Sequence, residues 1–389
     1  MILPIQTINS VLLEVADLIK LYKEDLLSIN KIDILNYAGA DLTLTERLKI
    51  DDAKCVGMIN SLHALIALPN PVGNIIYTHT NTQGLIIQNQ TAPFGTILII
   101  YESRPDVTIE AAAIAFKSGN KILLKGGKEA HGTNFFLTSL WHKALSKFNV
   151  PLTIITYLAL DRLATQNYLK NNTNNIDLVV PRGGNTLIDF VKNNCAIPML
   201  ISGRGNNFIY IDEQVDNAII EPILVNAKLQ NLSACNALDK VLVNKNWLCN
   251  NEVLWYGILN SFKKENVQII QHNKGNDNEI LNEEFLDAKL LWKTVEDNNE
   301  AINIINTYSG KHSAAILSTN INAIAVFNNM VDSAAVYSNA STRFTDGGQF
   351  GLGAELAIST GKLHHRGPLG LQHLVTNKWI ITGNGQIRK

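Results

Sequence analysis

The chain has 389 residues, 46% hydrophobic and 17% charged, which excludes a disordered protein or one small core and asks for two or three domains. Lys+Arg 33 against Asp+Glu 34 leaves a net charge of −1, so there is no general attraction to nucleic acid or an anionic membrane, and anions must be bound by local clusters. No uncharged apolar run reaches about 18 residues, no leader pattern opens the chain, and Cys55, Cys195, Cys235 and Cys249 show neither C-x-x-C spacing nor a paired framework. A cytoplasmic protein with reduced thiols is expected.

Residues 8 to 66 place Ile8, Leu12, Val15 and Ile19 at helical spacing, with breaks near Asn30 and around Gly39, which predicts about three helices. From Asn74 the pattern turns to short β-rich runs, Asn74 to Thr78 and Gly84 to Gln88, separated by Thr80 to Gln83; this predicts a projecting hairpin over 74–92. Apolar runs then alternate with helical patterns: Thr96 to Tyr101, Lys121 to Lys125, Leu152 to Thr156 and Ile176 to Val180. Strands spaced by helices in this way make a parallel sheet covered on both faces. Beyond Glu221 the alternation resumes with Lys240 to Val243, Gln268 to Ile270, Ala314 to Leu317 and Ala334 to Tyr337, so a second α/β domain is expected. The Asn-rich patches at 171–175 and 273–278 read as surface turns, and Lys378 to Thr382 as a C-terminal strand.

The stretch Lys228 to Asn236 sets Cys235 among small and polar residues just before a strand. Lys228 and nearby backbone amides would lower its pKa and make it a nucleophile. Cysteine is equally at home as a small buried hydrophobe, and its surroundings alone leave both readings open. His364 and His365 have no carboxylate or cysteine at ligand spacing and are taken as structural, with no metal site.

Four collinear stretches resemble the gamma-glutamyl phosphate reductase family of the aldehyde dehydrogenase superfamily: Pro93 to Thr108 with Lys117 to Asn120 and Leu124 to Glu129, then Val180 to Gly184, then Lys228 to Asn236, then Val331 to Glu355 running on through Ser359 to Leu371. The resemblance implies an α/β, aldehyde dehydrogenase-like fold of two doubly wound domains with an oligomerisation element made from the hairpin and the C-terminal strand. The implied boundaries are 1–225 for the N-terminal helices and dinucleotide-binding domain, 226–345 for the catalytic domain, and 346–389 for the return to the cofactor domain. The active site is then expected between the two large domains.

The implied chemistry is NADPH-dependent reduction of L-glutamyl 5-phosphate to L-glutamate 5-semialdehyde and phosphate, in proline biosynthesis, through a thioester on Cys235. Lys125 and Lys128 match the adenosine-ribose position, where two ammonium groups favour a 2′-phosphate and hence NADPH. Arg182, Gly183 and Gly184 lead into a helix whose N-terminus suits the phosphates, and Glu284 matches a glutamate that holds the nicotinamide ribose. Asn339, Ser341, Thr342 and Arg343 form a polar run fit for an amino-acid head group or a phosphate, with Arg104 a second candidate. The general base used by hydrolytic relatives has no counterpart here, as suits an enzyme that must not hydrolyse its thioester.

Two stretches depart from the family pattern. Asn231-Leu232 stands where the family has Arg-Pro, and Gly203 to Phe208 replaces its Gly-x-Gly-x-Cys-His; Arg204 is a candidate replacement for the missing arginine. The alternatives are a divergent reductase of another acyl phosphate, an oxidative aldehyde dehydrogenase, or a silent scaffold binding a proline-pathway kinase. The expected partners are the small acyl phosphate, a glutamate 5-kinase and further copies of the chain.

Overall fold

A computed structural model of the chain describes residues 3–37, 39, 42–172, 174–273, 275 and 278–388. The Asn-rich turns expected at 171–175 and 273–278 therefore lie partly outside the described residues. The chain divides into two compact units, Met1–Ile201 with Gly351–Ala357 and Leu369–Lys389, and Ser202–Phe350 with Ile358–Pro368.

The first unit opens, among the described residues, with helices Ile5–Leu21, Lys23–Asn36, Leu42–Leu48 and Asp52–Ala67. Ile8, Leu12, Val15 and Ile19 are all buried, as their spacing predicts. Asn30 does not break the second helix. It is buried there, its Nδ2 donating to the Leu48 carbonyl at 2.9 Å and its Oδ1 accepting from the Ile50 N–H at 2.7 Å. An asparagine that finds partners on another segment has no need to compete for its own helix backbone.

Four parallel strands follow in the order Ile155–Tyr157, Lys121–Lys125, Thr96–Tyr101, Leu178–Arg182. Two match the expected runs. The strand expected from Leu152 opens instead with a 3-10 turn, Leu152–Ile154, set by Pro151. The one expected from Ile176 begins two residues later, because Asn172 takes both the Ile176 N–H (2.7 Å) and its carbonyl (3.1 Å). Alternation along the strands builds a core on each face. Ile97, Ile99 and Leu124 pack with Phe116 and Trp141 on one side, while Leu98, Ile100 and Leu123 pack with Leu169 and Val191 on the other. A separate antiparallel sheet joins Ile75–Thr80, Ile86–Pro93 and Val375–Thr382 within the same chain.

The second unit is built on six parallel strands in the order Ala335–Ser338, Ser313–Leu317, Asn207–Ile211, Leu238–Asn244, Lys289–Val295, Gln268–His272. Helices cover both faces, with Trp255 and Phe262 in one core and Ile305 and Phe327 in the other. Two of these strands were not anticipated: Asn207–Ile211 is short and opens on a polar residue, and the apolar run of Lys289–Val295 is interrupted by Lys293 and Thr294. Asn207–Ile211 also moves the domain boundary. It pairs with Leu238–Asn244 and with Ser313–Leu317, so the second unit starts at Ser202 rather than at 226. At the other end, Ile358–Pro368 stays with the second unit, as Arg366 binds Asp332 through Nη1 to Oδ1 at 2.6 Å and Nη2 to the main-chain carbonyl at 2.9 Å.

The family-like stretch Lys117 to Asn120 is a stitch within the first unit. Lys117 is fully buried and its Nζ donates to the carbonyls of Leu65 (2.6 Å), Ile66 (2.9 Å) and Leu68 (2.7 Å), closing the C-terminus of helix Asp52–Ala67. Burial lowers its pKa to about 8. Asn120 joins the Gly95 N–H to the Leu374 carbonyl. Lys117→Met strands three carbonyls in the core and is expected to cost about 2–4 kcal/mol, read as a lower urea midpoint; an unchanged midpoint would mean other donors satisfy them.

Candidate functional site

Cys235 lies in the turn between helix Asn217–Leu229 and strand Leu238–Asn244, half-buried. Asn231 shapes that turn. Its Oδ1 accepts from the Ser233 N–H and hydroxyl, both at 3.2 Å, and Ala237 N–H closes onto the Ala234 carbonyl at 2.9 Å. The residue that departs from the family pattern thus serves the loop conformation.

The peptide of Cys235 is clamped from the neighbouring strand. Asn207, fully buried, donates through Nδ2 to the carbonyls of Cys235 (2.8 Å), Ala237 (2.7 Å) and Gly205 (2.7 Å), and its Oδ1 accepts from the Ser313 N–H at 3.0 Å. Gly205 lies so close that a Cβ added there would sit 1.9 Å from the Cys235 carbonyl oxygen. The Gly205 N–H in turn donates to Glu284 Oε1 at 2.7 Å. Burial raises the pKa of Glu284, opposed by that hydrogen bond.

At Asn236, the residue that follows Cys235, opens a polar cavity of about 360 Å³, lined also by Asn226, Gln230, Arg343, Phe344, Asp346 and Gln349. Arg343 Nε donates to Gln230 Oε1 at 2.9 Å. Burial lowers the arginine's pKa, while Cys235 and Asp346 oppose the shift, so the guanidinium is within electrostatic reach of the sulfur. Asn236 ties the loop beneath by donating to the carbonyls of Arg343 (3.2 Å) and Thr345 (2.9 Å). Its own Oδ1 is buried with no hydrogen-bond partner among the described residues.

The other residues of the expected substrate run are occupied elsewhere. Asn339 spends both ends of its amide on Ser318, at 2.9 and 2.8 Å. Ser341 Oγ accepts from the Arg343 N–H at 3.2 Å, and Thr342 donates to the Asn236 carbonyl at 2.7 Å. Lys228, expected to act on the thiol, pairs with Asp239 at 3.3 Å. Sequence reasoning missed Gln230, Asn236 and Asp346, which lie inside motifs already singled out, and Gly205 and Asn207, which lie in the segment taken as a departure.

In the first unit the expected cofactor residues gather at the carboxyl ends of neighbouring strands, the usual ligand end of such sheets. Register pairs Ile100 with Lys125 and Tyr101 with Arg182, on either side of the central strand. Lys125 is half-buried and burial lowers its pKa; Lys128 is exposed at the start of a 3-10 turn. Gly183 and Gly184 are exposed where helix Asn185–Asn194 begins. Glu102 Oε2 accepts the Gly184 N–H at 3.0 Å, and a Cβ on Gly183 would sit 2.4 Å from that same oxygen. Any anion at this helix end must therefore displace a carboxylate. Arg104 is exposed just ahead of helix Val107–Lys117.

No family model matches the chain. The gamma-glutamyl phosphate reductase of Leptospira interrogans is 37% identical, over 98% of this chain and 93% of that protein. The solved gamma-glutamyl phosphate reductase of Thermotoga maritima superposes with a TM-score of 0.95 at 35% identity, covering 100% of this chain and 95% of that one. An acetylating aldehyde dehydrogenase of Geobacillus thermoglucosidasius shares the fold with a TM-score of 0.72 at 15% identity, covering 100% and 94%.

Gly205→Ala puts a methyl group into the Cys235 peptide and is expected to destabilise by about 1–3 kcal/mol. It should also change how fast iodoacetamide labels Cys235 relative to exposed Cys249, read by peptide mass spectrometry. An unchanged labelling ratio would show that the two backbones do not constrain each other.

Proposed function

This chain belongs to the gamma-glutamyl phosphate reductase family, an oxidoreductase family with the aldehyde dehydrogenase-like fold, and on that premise we propose that it reduces L-glutamyl 5-phosphate to L-glutamate 5-semialdehyde with NADPH, using Cys235. The observation that carries the reading is the clamped, half-buried Cys235 beside a polar cavity that holds Arg343.

The Cys235 thiolate attacks the acyl carbon, and phosphate leaves with the electron pair of the carbon–oxygen bond. A bound nicotinamide would supply the hydride that the thioester carbon takes up. The carbon–sulfur bond then breaks, its electron pair returns to sulfur, and the aldehyde is released. Splitting one hard reduction in this way gives hydride a better acceptor than a carboxylate. Arg343 favours the thiolate over the thiol electrostatically, and the Cys235 backbone N–H is the candidate donor to the oxyanion.

The cavity suits the amino-acid end of the substrate: Arg343 for the α-carboxylate and Asp346 for the α-ammonium. The residues at the carboxyl end of the first unit's sheet fit a dinucleotide. Lys125 and Lys128 would hold a 2′-phosphate and Arg182, Gly183 and Gly184 the diphosphate, with Glu102 giving way. Glu284 would hold the nicotinamide ribose. Exposed Ile76, Tyr77, Trp379 and Ile381 on the three-stranded sheet support association with further copies of the chain. A glutamate 5-kinase is the partner that would supply the labile acyl phosphate, in the cytoplasm.

The test is phosphate-dependent reduction of NADP⁺ by glutamate 5-semialdehyde, the reverse reaction. Cys235→Ser should keep the fold and lose nearly all turnover, since a serine without a base gives no alkoxide near neutral pH; activity surviving in Cys235→Ala would overturn the thioester. Replacing Lys125 and Lys128 together by Ala should weaken NADPH more than NADH by about 1–3 kcal/mol, measured by calorimetry. Equal losses would remove the 2′-phosphate assignment.

A further inference from the structure

A group of buried charges lies behind Glu284. Lys228 and Lys240 are fully buried, and both face the buried carboxylate of Asp239, at 3.3 and 4.0 Å. Asp239 Oδ2 also accepts the Phe285 N–H at 2.9 Å. Lys240 Nζ donates to the Glu283 carbonyl and sits 3.8 Å from the centre of the Phe285 ring. The residues immediately before and after Glu284 are thus each held by this group. Glu284 in turn receives the Gly205 N–H at 2.7 Å, and Gly205 lies against the Cys235 carbonyl.

We propose that Lys228, Asp239 and Lys240 are positioning residues for the reaction: they fix the Glu283–Phe285 segment so that Glu284 holds Gly205 against the peptide of Cys235. The inference rests on Cys235 being the nucleophile. Two ammonium groups and one carboxylate taken wholly out of water pay a desolvation penalty that apolar side chains of similar size avoid. A sheet that needed only stability here would be better served by leucine or methionine. The arrangement instead delivers two directed hydrogen bonds to one short, otherwise irregular segment, and that segment carries the one carboxylate bonded to the Gly205 amide. A small displacement of a nucleophile costs far more in rate than in binding.

The groups facing Lys240 are Asp239 on its own strand, Lys228 from helix Asn217–Leu229, and Glu283 and Glu284 from the segment it holds. Burial brings its pKa down to about 8. Below that pH the ammonium is present and the segment is held; as pH rises through it, the charged hydrogen bond to Glu283 is lost. The turnover number should therefore fall on the alkaline side near pH 8.

The experiment compares wild type, Lys240→Met, Glu284→Gln, Glu284→Ala and Cys235→Ser in the reverse assay at saturating cofactor, from pH 6.5 to 9.5, with urea midpoints alongside. Lys240→Met is expected to lower kcat by about tenfold or more with KM for the aldehyde within about twofold, and to lose the alkaline fall near pH 8. Glu284→Gln, which keeps an acceptor for the Gly205 N–H, should retain far more kcat than Glu284→Ala. A Lys240→Met enzyme with wild-type kcat and pH profile overturns the proposal, whatever its midpoint. Should that variant fail to fold, equal kcat losses in Glu284→Gln and Glu284→Ala overturn it instead. Turnover surviving in Cys235→Ser removes the nucleophile and this proposal together, whereas an inactive Cys235→Ser beside an unaffected Lys240→Met defeats the positioning role alone.

Discussion

The second unit is organised around one close approach, the Gly205 backbone against the carbonyl of Cys235. Only glycine permits it, and it holds because Asn207, two residues further along the chain, gathers the carbonyls of Gly205, Cys235 and Ala237 on a single amide. Asn207 is anchored in turn by the Ser313 N–H on the next strand. The turn that carries Cys235 is thereby fastened to the middle of a six-stranded sheet, where strands on both sides limit its movement. That is what a reactive side chain on a loop needs if its geometry is to be kept.

The same logic explains why polar residues are so deeply buried in both units. Lys117 satisfies three carbonyls at a helix end, Asn30 bridges two segments of the N-terminal helices, and Asn236 braces the loop that presents Arg343. Each sits where backbone groups would otherwise be left without partners out of reach of water, and an unpaired buried carbonyl costs more than the desolvation of one well-placed amide. Motifs that look catalytic by their polarity thus divide into two kinds. Some residues, such as Asn339 and Thr342, use their hydrogen-bonding capacity on the scaffold; others, such as Arg343 and Asp346, line the cavity.

The two candidate sites differ in charge balance. Around Cys235 a half-buried guanidinium stands in a cavity of amides and one carboxylate. At the carboxyl end of the first unit's sheet the cations Lys125 and Arg182 flank a strand whose following residue, Glu102, already occupies a helix amide. An anionic ligand there gains two cations but must compete with an internal acceptor, which favours a ligand with more than one phosphate over a lone monoanion.

Much of this was determined by the sequence itself. Alternating apolar runs and helical periods dictate two parallel sheets covered on both faces, because a strand buried on both sides must be apolar throughout and needs a crossover to its parallel neighbour. The long collinear motifs carry the family, and Cys235 stands out within one of them. What only the tertiary structure decided was the pairing of polar groups distant in sequence. The strand Asn207–Ile211 is too short and too polar at its start to be read as a strand, yet its neighbours on either side make it central. Whether Asn236 or Asn339 faces a ligand, and whether Lys228 serves the thiol or Asp239, depends on which buried donor meets which acceptor. Periodicity reports which face of an element is apolar, but not which partner lies opposite a single polar side chain.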